Sequence, residues 1–378
     1  MDDITEEENS FVVSGIVHTT RNMGGIIFFN LIDGLRNIPC CIEKSNSQYM
    51  ILSHLQRGCY LKVLLSDEQG QDNDKQAKKV HKVIEHKRLI SKDTPYHDKR
   101  YDIELSLIEY AIHEYEYSKS FLNAAVPHIL PGLIKSDCFS LSFFNKNARL
   151  TSSNALYLDC LACMYSKIYS IHPVFRAEPS HTRMHLSEFL MWEHAELNVS
   201  LTELRNHLEQ AIKSVIRQVC LKLSLSHPFD LDKPFHTVEY SNLKKSQASF
   251  NFSSYEKSYT GDLPMFVLNL PKGIASWRAE SSTLGYTKSF NLLMPGIGEV
   301  AEGSIRSVSY EQLHTKFEAA NQMNNLEWML RFARFENISV GNFGVGVERL
   351  VMSIFNISNI RKIKTFYRDY RFSETRQK

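Results

Sequence analysis

A polar loop between two apolar runs in the middle of the chain constrains the fold more than any other feature. The run KIYSIHPVF precedes the loop PSHTR, and HLSEFLMWEHAEL follows it. Both apolar runs have strand character, and the polar residues between them are typical of a turn. The segment is therefore predicted to be a β-hairpin, with Arg176 and Glu178 on one strand, Phe189 on the other, and Arg183 and His185 in the loop.

The side chains of this hairpin are of the types that a nucleotide needs in its binding site. Arginines form charge-assisted hydrogen bonds with phosphates, and Glu178 can accept a hydrogen bond from the adenine amino group. The ring of Phe189 offers a face on which a purine can stack. The alternative is a salt-bridged hairpin without a ligand.

A second segment, PGIGEVAEGSIR, joins glycines to two acidic residues and an arginine. Glycines allow the backbone to approach a ligand closely. Glu299 and Glu302 can hold Mg²⁺ that bridges ATP phosphates, and Arg306 can pair with a carboxylate or carboxamide. A solvated loop is the alternative interpretation of this segment.

A third segment, GNFGVGVERLVM, places glycines at the end of a strand and Arg349 in the first turn of a helix. An arginine beside a helix N-terminus favours a polyphosphate ligand, since the helix dipole and the guanidinium act together. The pattern is GxGxxR, and no strand-helix-strand unit around it fits a dinucleotide fold.

The chain is predicted to contain two domains. Residues 1–88 have five short strand patterns and one long polar loop, Ser66 to Lys79, which suggest a small closed barrel of the OB type; a generic small β-domain is the alternative, and strand counting alone does not separate the two. Residues 89–378 interleave helices and strands as an α+β domain, beginning with a linker. In the first helix, apolar residues recur at helical spacing: Leu107, Ile108, Ala111, Ile112 and Tyr115.

Composition points to a cytoplasmic protein. Of 378 residues, 43% are hydrophobic and 23% charged, and no apolar run reaches the roughly 18 residues that a membrane span needs. The polar, acidic N-terminus does not resemble a secretory signal. Seven scattered cysteines suit a reducing compartment, and Cys160-x-x-Cys163 is interpreted as core packing because no second pair accompanies it.

Taken in order, these segments resemble the signature motifs of class II aminoacyl-tRNA synthetases of the aspartyl/asparaginyl/lysyl subgroup, and most closely the asparaginyl members. FRAE with HLSEF resembles motif 2, PGIGEVAEGSIR the metal-binding turn, and GNFGVGVERLVM motif 3, followed by FYR. VVSGIVHTTRNMGGIIFF resembles the anticodon-binding barrel, in which Phe28 or Phe29 would stack on tRNA bases. The helix before Pro127 occupies the place of motif 1, which implies a homodimer.

The resemblance implies a role for each matching residue in binding ATP, Mg²⁺ and an amino acid. Arg176 would hold the α-phosphate and Arg349 the γ-phosphate, and these two residues are the expected catalytic pair. The expected ATP-binding set is Arg176, Glu178, His185, Phe189, Glu299 and Arg349. Glu299 and Glu302 would hold the metal, and the amino-acid substrate would contact Ser153, Asp137 and Arg306. The activated acid would then pass to tRNA.

Departures from the family pattern cluster around the amino-acid pocket. The family strand that begins Ser-Gly-Gln or Ser-Pro-Gln appears here as Ser153-Asn-Ala-Leu. The changed positions are Ala155, Leu158, Asp137, Met184, Asn291 and Ala195. Three interpretations follow: an asparaginyl-type synthetase that charges tRNA, a paralogue that transfers an adenylate to a small amine as an amide ligase, and a non-catalytic regulatory or RNA-binding paralogue.

Overall fold

The computed structural model describes residues 10–34, 36–69, 77–88, 101–132, 138–245, 250–283, 285–319, 323–330 and 338–371. The chain divides into two compact units, Met1–Arg100 and Tyr101–Lys378. Residues 89–100, where the sequence predicts a linker, lie outside the described residues. Within the described ranges, no helix is both long enough and apolar enough to cross a membrane.

The first unit is a closed five-stranded barrel, as predicted. Its elements are β1 (Ser10–Asn22), β2 (Ile26–Asp33), β3 (Arg36–Glu43), α1 (Tyr49–Leu52), β4 (Cys59–Gln69) and β5 (Lys78–Arg88). The strands close in the order β1-β2-β3-β5-β4, and only β3 and β5 pair in parallel. Closure satisfies both edges of every strand, which is the arrangement of an OB-type barrel.

Successive residues of β2 point to opposite sides of the barrel wall. Phe29 is 1% exposed and belongs to the barrel core. Phe28 is half-buried, and the guanidinium carbon of Arg21 lies 5.5 Å from its ring centroid. Of the two phenylalanines, only Phe28 is therefore placed to meet a ligand.

The predicted loop from Ser66 to Lys79 is too long. Strand β4 continues to Gln69, and β5 begins at Lys78, with Gln69 paired opposite Lys78. Backbone groups form the ladder whatever the polarity of their side chains, so the polar composition concealed these strand ends. Residues 70–76 lie outside the described residues.

The second unit is an α+β domain that begins with a helix. Its elements are α2 (Asp102–Ser118), β6 (Leu122–Asn123), β7 (Ile129–Pro131), β8 (Ser140–Phe143), β9 (Lys146–Leu150), α3 (Ala155–Tyr165), β10 (Lys167–Phe175), β11 (Glu188–Leu197), α4 (Leu201–Leu223), β12 (His236–Glu239), α5 (Tyr240–Lys245), α6 (Phe252–Ser258), β13 (Met265–Leu268), β14 (Ser289–Met294), β15 (Gly298–Ser307), α7 (Tyr310–Ala319), α8 (Met323–Leu330), β16 (Ser339–Gly346) and α9 (Val347–Ile354). The five apolar residues predicted for the first helix are all buried on α2.

An eight-stranded sheet in the order β12-β13-β14-β15-β16-β11-β10-β6 forms the centre of this domain. The strands from β13 to β10 pair antiparallel, as the resemblance to class II synthetases implies, and the edge strands β12 and β6 pair in parallel. A second sheet has the order β7-β9-β8. Helices α2, α4 and α9 cover one face of the large sheet, and α3, α7 and α8 pack against the other.

The family strand that would begin at Ser153-Asn-Ala-Leu by resemblance is not formed, because Ala155–Tyr165 is the helix α3. Alanine, leucine and methionine are strong helix formers, and no β-branched residue opposes them in this segment. The Cys160-x-x-Cys163 pair therefore lies on one helix, where burial raises the pKa of Cys160 to about 12 and that of Cys163 to about 11. Such thiols are protonated and suit core packing, as the sequence indicated.

Candidate active site

The predicted hairpin is present and forms one wall of a cavity. Strands β10 and β11 pair antiparallel, with Phe175 opposite Glu188. Arg176 lies one residue beyond β10 and Glu178 three residues beyond it, so both belong to the connecting loop and not to the strand as expected. Arg176 remains tied to the hairpin because its backbone nitrogen donates to the Ser187 oxygen at 2.9 Å.

Arg176 and Phe189 face each other across the mouth of the hairpin. The guanidinium carbon of Arg176 lies 5.2 Å from the centroid of the Phe189 ring. A cation over an aromatic face is attractive in water-poor surroundings. The two side chains therefore hold each other in place beside the space where a planar base and its phosphate could lie.

The opposite wall comes from β15, β16 and the first turn of α9. Arg349 donates from Nη1 to the backbone oxygen of Glu299 at 2.7 Å, and its Nη2 lies 3.4 Å from Nε2 of His185. Burial, and next the charge of Arg349, lower the pKa of His185. A neutral imidazole can accept a hydrogen bond from the guanidinium, so three predicted site residues are joined through Arg349.

One cavity of about 880 Å³, including its open mouth, lies between these walls. Every predicted site residue except Asp137 lines the cavity: Ser153, Arg176, Glu178, His185, Phe189, Glu299, Glu302, Arg306 and Arg349. Asp137 lies outside the described residues.

Glu256 of α6, which the sequence did not single out, lies beside the acidic corner of the cavity. Asn291 donates from Nδ2 to Oε1 of Glu256 at 2.9 Å and to Oε2 of Glu299 at 2.8 Å. Desolvation, followed by the charges of Glu302 and Glu256, raises the pKa of Glu299 to about 8. Burial also raises the pKa of Glu256. Negative charge is therefore in excess at this corner, and Glu299 and Glu256 bind protons more readily than ordinary carboxylates.

This donor set fits a magnesium ion. Carboxylate oxygens are the protein ligands that Mg²⁺ prefers, and a divalent cation can replace the protons that mutual repulsion forces onto the acids. The approach of Glu256 depends on the turn before β15. Gly298 has φ +87°, and a Cβ there would lie 2.9 Å from the Glu256 backbone oxygen. Glycine thus brings α6 up to the site, whereas the sequence interpretation assigned the glycines to a ligand.

A buried carboxylate, Asp159 of α3, lies beneath the far end of the cavity. It accepts a hydrogen bond from Nδ2 of Asn342 at 3.0 Å and forms an ion pair with Arg278. The Nη1 atom of Arg306 lies 3.5 Å from Asp159 Oδ2, and Arg306 Nε donates to Ser304 Oγ at 3.2 Å. Two guanidiniums meet Asp159 here, and the charge of Glu193 also acts on Arg278, so the two positive charges have two negative ones nearby.

Ser153 also contacts a residue that the sequence did not single out. Its hydroxyl donates to Oε1 of Glu193, and the backbone nitrogen of Asn154 donates to Oε2 of the same residue at 2.8 Å. Glu193 is buried and lines the cavity. The two carboxylates, Asp159 and Glu193, stand within mostly apolar runs, LYLDCLAC and FLMWEHAEL. An acid in such a run predicts a buried, paired charge, and this was the signal available in the sequence.

The remaining departures from the family pattern have separate environments. Met184 lines the cavity, Leu158 and Ala195 lie in the core on the α3 side of the sheet, and Ala155 is buried at the start of α3. Arg183, the neighbour of Met184 in the loop, is exposed. Only one of these four changes therefore reaches the surface of the cavity.

Residues 88–369 match the family model described as tRNA synthetases class II (D, K and N). The asparagine–tRNA ligase of Lawsonia intracellularis is 29% identical over 94% of this chain and 94% of its own, and that of Mycoplasma pneumoniae is 31% identical over 70% and 68%. Two solved structures of asparaginyl-tRNA synthetases with asparaginyl-adenylate share the fold. The one from Entamoeba histolytica has a TM-score of 0.75 at 24% identity, and the match covers 99% of this chain and 99% of its own. The one from Pyrococcus horikoshii has a TM-score of 0.75 at 21% identity, and the match covers 97% of this chain and 96% of its own. The chain belongs to the class II tRNA synthetases of the D, K and N group.

Proposed function

We propose that this protein activates asparagine with ATP and transfers the asparaginyl group to tRNA in the cytoplasm. The convergence of the predicted residues carries the proposal: two arginines, an aromatic ring and an acidic corner, far apart in sequence, line one cavity. The named relatives are asparagine–tRNA ligases, and one of them matches 94% of the chain. ATP use follows from membership of an adenylate-forming family.

The nucleotide would occupy the half of the cavity between the hairpin and α9. The Phe189 ring would stack on adenine, and Glu178 would accept a hydrogen bond from the adenine amino group. Arg176 would hold the α-phosphate, while Arg349 and His185 would meet the outer phosphates near the N-terminus of α9. The contacts of Arg349 with Glu299 and His185 support this, because they orient its guanidinium before ATP arrives.

Glu299, with Glu302 as a second ligand, would hold Mg²⁺, which supplies positive charge to the phosphates. Asn291 donates hydrogen bonds to both Glu256 and Glu299, so Glu256 would add negative charge beside the metal. The reaction needs no general base, since the amino acid attacks as a carboxylate. The protein would align that carboxylate with the α-phosphorus, and Arg176 would neutralise the charge that develops there.

The far end of the cavity favours a carboxamide over a carboxylate side chain. Arg306 can donate to a carbonyl oxygen, but Asp159 already balances one of the two guanidinium charges. A second carboxylate would lie close to the buried Asp159 and be repelled, whereas a neutral amide would not. This argues for asparagine rather than aspartate as the substrate.

The barrel would bind tRNA through Phe28, whose partly exposed ring can stack on an unpaired base. Two copies of the chain would associate through the segment around α2 and Pro127, where class II enzymes build their dimer. Both statements extend the family resemblance to this chain.

The decisive experiment measures ATP–pyrophosphate exchange with each of the twenty amino acids, followed by tRNA acylation with the amino acid that supports exchange. Asparagine should give exchange and acid-precipitable tRNA, with aspartate about a hundredfold less efficient. Adenylate formation that is discharged only by a small amine would support the amide-ligase alternative, and the absence of exchange with every amino acid would support the non-catalytic one.

A further inference from the structure

A buried group of three polar side chains lies on the face of the sheet opposite the candidate active site. Glu116 belongs to the last turn of α2, His194 to β11 and His207 to α4. The side chains of Glu116 and His194 are 0% exposed, and that of His207 is 15% exposed. Nearby groups that can bind one metal ion are uncommon in an apolar core, and these three offer ligand atoms within 4.8 Å of one another.

The surroundings of this cluster are aromatic. The ring of Phe343 is stacked on that of His194 at 4.3 Å, and the Phe121 ring lies 4.3 Å from His194 and 5.0 Å from His207. Water is thereby kept away from the three polar groups. In such a medium, polar atoms need partners within the protein or a bound ion.

Hydrogen bonding satisfies only half of the cluster. Oε1 of Glu116 accepts from Nε1 of Trp192 at 2.9 Å and lies 3.1 Å from Nδ1 of His194. Oε2 of Glu116 and Nε2 of His207 lie 3.5 Å apart, yet neither has a hydrogen-bond partner among the described residues. Nε2 of His194 also has none. Each buried polar atom left unpaired costs about 1–3 kcal/mol, so a missing partner is the natural explanation.

The separations match those between ligands of a tetrahedral zinc ion. Bonds of about 2.0–2.1 Å at tetrahedral angles place neighbouring ligand atoms about 3.3 Å apart. Oε1 of Glu116 lies 3.1 Å from Nδ1 of His194, and Oε2, the other oxygen of the same carboxylate, lies 3.5 Å from Nε2 of His207, so each histidine is near that distance from one of the two carboxylate oxygens. Two imidazoles and one carboxylate are a ligand set that zinc and neighbouring divalent transition metals accept.

Outer partners suited to a metal site are also present. Trp192 donates to the Glu116 carboxylate, and Glu196 Oε2 lies 3.9 Å from Nε2 of His194, the nitrogen that would remain free if Nδ1 bound the metal. Carboxylates commonly orient metal-bound histidines in this way. We propose that Glu116, His194 and His207 form a structural site for a divalent transition metal, represented by Zn²⁺, that ties α2 and α4 to strand β11.

A buried ion pair is the competing explanation. Burial alone would raise the pKa of Glu116, but the two imidazoles outweigh it and lower the pKa to about 2. Burial alone would lower the pKa of His194, but the charge and hydrogen bond of Glu116 outweigh it and raise that pKa. A metal-free protein would therefore hold a His194–Glu116 pair. That ion pair does not provide a hydrogen-bond partner for Oε2 of Glu116 or for Nε2 of His207, which lie 3.5 Å apart.

The test uses the full chain, stripped with a chelator, incubated with Zn²⁺ and passed through a desalting column. Elemental analysis should find one zinc per chain in the wild type, and the melting temperature should rise by roughly 5 °C with zinc. His207→Gln, chosen because His207 is the most exposed ligand, should lose both effects. His236→Gln, which alters an exposed histidine 3.1 Å from Asp262, should retain both.

Cobalt substitution distinguishes this cluster from the cysteines. Co²⁺ in the wild type should give tetrahedral visible bands without thiolate charge-transfer absorption, and Cys163→Ser should not change them. Zinc retention by His207→Gln equal to the wild type, thiolate absorption, or no zinc in the wild type above background would each overturn the proposal in favour of the ion pair or another site. Should His207→Gln fail to fold, the wild-type cobalt spectrum alone decides.

Discussion

Replacing Asp159 by asparagine removes the carboxylate that lies between Arg278 and Arg306 at the amino-acid end of the cavity while preserving the shape of the side chain. Asp159 is 1% exposed and is paired with Arg278 and Arg306. Burial, and next the charge of Arg306, lower the pKa of Arg278 to about 10, and Asp159 opposes that shift. Without the carboxylate, two guanidiniums face each other in the core with no anion between them.

The cost to stability is large. Opposite unit charges 3.5 Å apart attract by about 5 kcal/mol at an effective dielectric constant of about 20, before desolvation is counted. Breaking a buried pair by removing one partner costs roughly 3–5 kcal/mol. An amide recovers part of this as a hydrogen-bond acceptor, so we expect a loss of about 3 kcal/mol. In a domain of this size that corresponds to a fall in Tm of roughly 6–12 °C.

Amino-acid selectivity should change as well. A substrate carboxylate bound to Arg306 would lie roughly 5 Å from Asp159, where repulsion amounts to about 3 kcal/mol, or about two powers of ten in affinity. Asp159→Asn removes that repulsion and leaves Arg306 without its internal partner. The ratio of kcat/KM for asparagine over aspartate should therefore fall about a hundredfold.

Pyrophosphate exchange at several concentrations of each amino acid measures the ratio directly, at a temperature well below the lowered Tm. Asp369→Asn is the matched control, because Asp369 is also a buried carboxylate between two arginines, Arg361 and Arg371, but does not line the cavity. It should lose stability and keep its selectivity. An unchanged ratio in Asp159→Asn, with exchange still active, would refute the electrostatic account of specificity.

Three further predictions concern the nucleotide, the barrel and the C-terminal segment. Arg349→Ala should lower kcat/KM for ATP in pyrophosphate exchange by about 10²–10³ with little change in Tm, since it removes a preorganised charge; equal rates would contradict its assignment. Phe28→Ala should raise the KM for tRNA about tenfold and spare adenylation, whereas Phe29→Ala should cost roughly 3–5 kcal/mol of stability because Phe29 is barrel core. Burial opposes ionisation of Asp369, but hydrogen bonds from Arg361 and Arg371 outweigh it and hold the pKa of that carboxyl below its usual value. The stability lost in Asp369→Asn should therefore be full above the unfolded-state pKa of about 4 and vanish as the pH falls through the lower pKa of the folded state, and a pH-independent difference in urea midpoints would count against this.

The local patterns of the sequence predicted much of this fold. Strand alternation identified the barrel, and helical spacing identified the buried face of α2. The hairpin and the strand-to-helix junction at Arg349 were visible because glycines and polar turns punctuate them. The strand expected around Ala155 was a wrong prediction, because it followed the resemblance to a family strand and not the helix-forming composition of the segment.

Side-chain contacts between residues that are far apart in the sequence could not be predicted from it. Asp159 and Arg278 are 119 positions apart, and Asn291 joins Glu299 to Glu256, 35 positions away. No periodicity connects such residues, because folding alone brings them together. The sequence named most cavity residues as motif members, but it did not show which charges are already balanced when no substrate is bound.

Strand β11 links the cavity on one face of the sheet to the aromatic interior on the other face. Its side chains alternate between the cavity, which Glu193 lines, and the aromatic interior behind the sheet, which holds His194. The two residues share one peptide unit, so any repacking that shifts the rear of this strand also moves the acceptor that positions Ser153. Substitutions around His194, on the face of the sheet opposite the cavity, should therefore change turnover although they do not contact the substrates.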